Sequence, residues 1–152
     1  MTRRRYFADL VVGEVRESRE KLVDRDELVA FAREYDPQYF HADPDAARGS
    51  VFGEVIASGI YTMAMWRQLD HEISGDIAWI CGVGWEDVKW PQAVRAGDRL
   101  RARYECLAKR PSGSDPTRGV VEFRYTLLNQ RGETAWTCRS INLIEMAPRA
   151  PA

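Results

Sequence analysis

Two segments of the chain alternate strictly between apolar and polar positions. Leu100, Ala102, Tyr104 and Cys106 are separated by Arg99, Arg101, Arg103 and Glu105, and Val121, Phe123, Tyr125 and Leu127 by Val120, Glu122, Arg124 and Thr126. A period of two places each set on one side of a strand, so both segments predict strands with one dry face and one wet face. Residues 77–90 and 133–146 predict two more, Asn129-Gln130-Arg131-Gly132 predicts a hairpin turn between the last two, and the more polar stretch from Glu14 to Val23 predicts a fifth. Elsewhere the period is helical. Asp24 and Glu27 have capping-box spacing, and Leu28, Phe31, Ala32 and Tyr35 follow at i, i+3, i+4 and i+7, which predicts a helix over about 25–34. Pro37 ends it near Tyr35, because proline disfavours helical geometry at the preceding residue and has no N–H to donate. Asp36 therefore opens an irregular segment that carries His41. Asp43-Pro44 predicts an N-cap and one helical turn through Ala47, and Gly59 to Glu72 predicts a helix of about 14 residues.

The first eight residues of that last helix, Gly59 to Trp66, bear no charge on any face. A helix apolar all round must be wrapped by something, and the only large apolar surface available is the antiparallel sheet. The expected fold class is α+β: a single hot-dog domain spanning 1–152, core about 6–146, with a curled antiparallel sheet wrapped around one long central helix. No repeat, low-complexity tract or linker divides the chain, and the one loose surface loop is Arg110 to Thr117. Open sheet edges need covering or pairing, which predicts a homodimer joined edge to edge, with larger homo-oligomers left open.

Composition narrows the function. The 152 residues hold 22 Lys+Arg against 23 Asp+Glu, so no net field favours nucleic acid or anionic lipid. Cys81, Cys106 and Cys138 lack metal-ligand spacing and form no even set, which predicts reduced thiols and a cytoplasmic protein. The basic start is interrupted by Asp9 before an export signal can form, and the longest uncharged stretch, Val55 to Trp66, has 12 residues against the ~20 a membrane helix needs. No membrane partner is expected.

Only two histidines occur. His41 follows Asp36 by five residues, and such a pair can hold one water molecule: an ionised carboxylate accepts its proton, while an imidazole both donates and accepts. The same residues also read as a turn at Asp36-Pro37 with His41 as a local hydrogen-bond partner. Ser58-Gly59 supplies a third element, since a helix start presents unpaired N–H groups and partial positive charge, and glycine lets a ligand oxygen approach. There too a capped helix start requires no ligand. Asp36, His41, Asp43 and Asp45 lack calcium-loop spacing, and Asp43 is better used as a cap, so no metal is expected. The five tryptophans read mostly as core or dimer contacts, His71 as exposed, and Arg99, Arg101 and Arg103 as a solvent-facing row.

The run Asp36-Pro37-Gln38-Tyr39-Phe40-His41-Ala42-Asp43-Pro44, then Phe52-Gly53 and Ile56-Ala57-Ser58-Gly59, resembles the MaoC-like dehydratase family, whose (R)-specific enoyl-CoA hydratases carry an Asp and a His five apart. Tyr6 to Glu14 resembles the family's opening, and Trp90 to Leu100 its Pro-Val, Gly-Asp-x-Leu strand entry. The resemblance runs from residue 6 to about 145. It implies reversible syn addition of water across a trans-2-enoyl thioester, an acyl-CoA or acyl-carrier substrate, and no cofactor. Carried over, Asp36 activates water for attack at C3, His41 orients that water and helps protonate C2, and the Gly59 N–H, with Ser58 beside it, polarises the thioester carbonyl. The family pattern Asp-x-Asn-Pro-x-His is altered here: Pro37 directly follows Asp36, Gln38 stands for Asn and Tyr39 for Pro, and Ser58 occupies a place often held by a second histidine. A hot-dog acyl-CoA thioesterase and a non-catalytic thioester-binding subunit are the alternatives. The first usually needs a carboxylate on or beside the central helix, where none precedes Asp70.

Overall fold

The structure is a computed structural model that describes residues 3–148 and 150. Helix α1 runs Arg25–Tyr35, α2 Tyr39–Ala42, α3 Pro44–Ala47 and α4 Gly59–Ser74. The strands are β1 Val15–Glu17, β2 Lys21–Leu22, β3 Trp79–Lys89, β4 Arg99–Pro111, β5 Arg118–Leu128 and β6 Thr134–Glu145. The antiparallel sheet has the order β1-β4-β5-β6-β3, with β2 also paired to β4.

The alternating strands fold as their pattern requires. Leu100, Ala102, Tyr104 and Cys106 of β4, and Val121, Phe123, Tyr125 and Leu127 of β5, are all buried. Their dry side closes on Tyr61, Met65, Trp66 and Leu69 of α4, so the sheet curls around this helix as expected for an α+β hot-dog arrangement. The wrapping is incomplete at the helix start, where Ile60 is 48% exposed. The wet face of β4 is exposed at Arg99 and only half-buried at Arg101 and Arg103: Arg101 and Arg103 pair with Glu17 and Arg99 with Glu20.

Three elements differ from expectation for local reasons. The polar stretch 14–23 forms two short strands instead of one. The Ser18 hydroxyl accepts the Ala102 N–H in place of a ladder carbonyl, and β2 resumes pairing one residue out of step with β1. Strand β4 continues through Pro111, so the expected surface loop begins later, at residue 112. Helix α4 runs two residues beyond Glu72, its last turn held by the Ser74 hydroxyl on the Asp70 carbonyl at 2.9 Å.

The start of the chain is tied to the far end of α4. Arg5 exchanges backbone hydrogen bonds with Asp76 and Ala78, and its guanidinium reaches Glu14, Asp76 and Tyr104 at 2.8–3.0 Å. Phe7 packs its ring directly on Gly119 of β5, where a side chain would leave no room. The sheet has an outer edge at β3, and that edge carries exposed Val83 and Trp85. No helix among the described residues is long and apolar enough to cross a membrane.

Candidate active site

Asp36 closes α1: its N–H donates to the Ala32 carbonyl at 2.8 Å, and Pro37 stops the helix there. The chain does not stay irregular afterwards. The Gln38 carbonyl accepts the N–H groups of His41 and Ala42, winding residues 39–42 into a single turn, α2. Four residues are too few to show a helical period, so this turn left no mark in the hydrophobic pattern. It carries His41 inward, leaving the residue only 6% exposed and its ring edge-on to Phe40 at 4.4 Å between ring centres.

The orientation of the imidazole follows from a backbone contact. Nδ1 lies 2.8 Å from the Ile56 carbonyl oxygen. A carbonyl only accepts, so Nδ1 carries the proton and Nε2 of the neutral ring is an acceptor. Nε2 stands 3.7 Å from Oδ2 of Asp36. Ile56 is itself fixed, because its N–H donates to the Phe40 carbonyl at 3.0 Å, and the adjoining Ala57 N–H donates to Val94 at 2.8 Å.

Asp36 is held from two sides. The Ser58 hydroxyl donates to Oδ2 at 2.6 Å, and the Gln38 side-chain amide to Oδ1 at 3.0 Å. These bonds, Ser58 first and Gln38 second, keep the carboxyl below its ordinary range, so it is ionised at neutral pH. The same Ser58 oxygen accepts the Ile60 N–H at 3.2 Å and thereby caps α4. The cap and the carboxylate thus share one hydroxyl. Among the described residues the Gly59 N–H has no hydrogen-bond partner, and it adjoins Ser58 at the positive end of the sixteen-residue helix α4. On another side of Gly59 lies the indole of Trp90, whose Nε1 donates to the Gly59 carbonyl at 3.1 Å. A Cβ at residue 59 would stand 3.0 Å from that nitrogen, so glycine also admits the indole.

The structure therefore brings Asp36, His41, Ser58 and Gly59 together from three parts of the chain. Reading the sequence missed Gln38, Ile56 and Trp90, and it did not foresee that Ser58 binds Asp36 across 22 residues. Only the short spacing of Gln38 from Asp36 was a usable signal. The remaining candidates lie as expected: Asp43 caps α3 by accepting from Asp45 and Ala46, and His71 is exposed. The tryptophans divide, with Trp66 and Trp136 in the core, Trp79 half-buried, and Trp85 and Trp90 about half exposed.

The uncharacterized protein YdeM of Bacillus subtilis is 30% identical over 125 residues, covering 81% of this chain and 86% of that protein. The 3-hydroxyacyl-thioester dehydratase Z of Mycobacterium tuberculosis is 29% identical over 89 residues, 57% of this chain and 58% of that one. Among solved structures, a MaoC-like dehydratase from Rhodospirillum rubrum superposes with a TM-score of 0.85 at 35% identity, over 95% of this chain and 99% of that one. Residues 7–126 match the MaoC like domain, and the chain belongs to the MaoC-like dehydratase family.

Proposed function

We propose that the protein is a hydro-lyase that adds water reversibly to a trans-2-enoyl thioester, an enoyl-CoA or its carrier-protein equivalent, to give the 3-hydroxyacyl thioester. The observation that carries this reading is the 3.7 Å approach of His41 Nε2 to Asp36 Oδ2, with Nδ1 pinned to a backbone carbonyl. A water oxygen at hydrogen-bond distance, about 2.8 Å, from both atoms lies about 2 Å off the line joining them and donates one hydrogen to each. Its lone pair then points away from the pair toward a substrate carbon.

In the hydration direction the water oxygen bonds to C3 as one of its O–H bonds breaks toward the carboxylate–imidazole pair. The C2–C3 π electrons move onto the thioester oxygen, where the Gly59 N–H and the positive end of α4 stabilise the enolate. The pair then returns a proton to C2 on the same face, and the enolate collapses to the thioester. One water has been added, and the enzyme ends in its starting protonation state. Asp36 is the base, His41 orients water and passes the proton, and Ser58 holds the carboxylate in place. No cofactor enters this sequence.

We also propose a homodimer through the β3 edge, where Val83 and Trp85 offer apolar surface beside unpaired strand groups.

The test is to mix the pure protein with crotonyl-CoA and longer enoyl-CoAs and follow loss of the conjugated-thioester absorbance, with Asp36→Ala and His41→Ala as controls. Each variant is expected to fold and to lose roughly 10²–10⁴ in kcat/KM. Wild-type rates in either variant remove its assigned role. Release of free thiol identifies a thioesterase instead, and no turnover of a broad thioester panel identifies a binding subunit.

A further inference from the structure

A backbone N–H that stabilises developing charge must be fixed in direction and be a good donor before the charge appears. The peptide unit that carries the Gly59 N–H also carries the Ser58 carbonyl, and its electrons are shared between oxygen and nitrogen. What binds that oxygen therefore acts on that nitrogen. The Ser58 carbonyl accepts the Thr62 N–H at 3.0 Å, as a helix start requires, and it also accepts the Thr62 hydroxyl at 3.2 Å. One residue thus engages both lone pairs of this oxygen. Ser58 and Thr62 are both buried, at 0% and 2% exposure, so the bonds lie where electrostatic effects are strong.

Hydroxyls within helices commonly return to the carbonyl four residues back, and such a bond by itself adds little to a helix. Ser74 does so on Asp70 near the other end of α4. The peptide reached there has its N–H inside the helix, where it is committed to another carbonyl. The peptide reached by Thr62 is the one whose N–H, among the described residues, has no partner. The neighbouring groups have other work. The Ser58 hydroxyl binds Asp36 and the Ile60 N–H, and the Trp90 indole holds the next carbonyl, that of Gly59. The side chain of Ser58 therefore serves the carboxylate while its main chain serves the donor, and the Thr62 hydroxyl bonds the second.

A hydrogen bond accepted by a carbonyl draws electrons from the amide nitrogen and leaves its hydrogen more positive, and bonds linked in this way strengthen one another by about 10–30%. The gain grows as enolate charge builds, so it falls on the transition state more than on bound substrate. Loss of a whole oxyanion donor costs about 10²–10³ in kcat, and 10–30% of that on a logarithmic scale is a factor of roughly two to eight.

We infer that Thr62 is a positioning residue for the hydration: its hydroxyl, acting through the Ser58–Gly59 peptide, fixes the Gly59 N–H and strengthens it as a donor to the enolate oxygen. This rests on the hydratase reading for the identity of the acceptor, whereas the state of the donor does not depend on it.

Thr62→Val keeps the branched shape and removes the hydroxyl, and Thr62→Ser keeps the hydroxyl and removes the methyl. With crotonyl-CoA, Thr62→Val is expected to lower kcat and kcat/KM together by roughly two- to eightfold with KM unchanged, and Thr62→Ser to restore most of the loss. The acid limb of kcat/KM should stay at its wild-type position, because the Asp36 carboxyl is governed first by the Ser58 and Gln38 side chains, whereas a displaced helix start would move it. NMR of the protein without substrate reads the donor directly: the Gly59 amide nitrogen resonance is expected to move upfield in Thr62→Val and to return in Thr62→Ser. A loss that serine does not restore, a rise in KM in place of a fall in kcat, a moved acid limb or an unmoved Gly59 resonance overturns the inference. If the valine variant fails to fold, Thr62→Ala deletes the same hydroxyl and is judged against Thr62→Ser by the same measurements. If no enoyl thioester is hydrated, the hydratase reading fails on its own, and the Gly59 resonance still decides whether Thr62 acts on the amide.

Discussion

Asp70→Asn should make the folded protein more stable at neutral pH. Burial is the main influence on this carboxyl and pushes it from an ordinary value of 3.8 to about 6, against the smaller opposing pull of the Ser74 hydroxyl, Arg67 and His71. In the unfolded chain the group regains its ordinary value. Between those two values the folded state therefore holds the proton more tightly than the unfolded state, and unfolding releases it. Stability must fall as pH rises from 3.8 toward 6, and the whole penalty is present above that window. Two pKa units at about 1.4 kcal/mol each give about 3 kcal/mol. Asparagine keeps the shape and can still accept from Ser74, but it never ionises. Urea unfolding of both proteins at pH 4 and pH 7.5, at one protein concentration, gives a difference in which every other titrating group cancels. The variant should gain about 2–3 kcal/mol over wild type on moving to the higher pH, or roughly 4–12 °C in Tm for a chain of this size. A difference that stays constant across the range, or one that grows in favour of wild type, would refute the reasoning.

Ser58→Ala removes the N-cap of α4 and the donor to Asp36 together. It should cost about 1 kcal/mol in thermal unfolding, and it should move the acid limb of kcat/KM to higher pH as the carboxyl returns toward its ordinary range; an unmoved limb breaks the link between Ser58 and the base. Gly119→Ala places a Cβ 2.1 Å from Phe7 Cδ2, so the ring must leave its seat and chemical denaturation should register a loss of about 1–3 kcal/mol, while an unchanged midpoint would mean the ring is free to move.

What could be read in advance was whatever repeats along the chain. The alternation of β4 and β5 and the uncharged opening of α4 specify a sheet and the helix it must cover, and Asp24 accepts the Glu27 N–H at 2.9 Å as its spacing promised. What could not be read depends on single contacts across long separations or on too few residues to show a period. The Ser18 hydroxyl that splits the first strand competes with the ladder through one atom, and α2 is a single turn fixed by one carbonyl at Gln38. The site shows the same division. The five-residue spacing marked Asp36 and His41, and the helix start marked Ser58 and Gly59. The tautomer of His41 is set by Ile56, and the environment of Asp36 by Ser58, neither of which has a local signature. Nothing in the hydrophobic pattern marks Asp70 as enclosed, which depends on the packing of β3, β5 and β6.

The bonds that join residue 56 to Phe40 and His41 have a consequence for how this protein can change. They close a ring of chain at its base, so residues 42–55, including α3 and the fully solvated tip at Val51, form a side excursion whose contour does not enter the spacing of the acid and the imidazole. Insertions at that tip add residues to the excursion and leave the reacting atoms where they are. A single residue gained or lost between 37 and 40 has no such shelter, since it rotates the short turn by about 100° and carries the imidazole off its carbonyl. Tolerance and intolerance to length change thus lie side by side, divided by two hydrogen bonds.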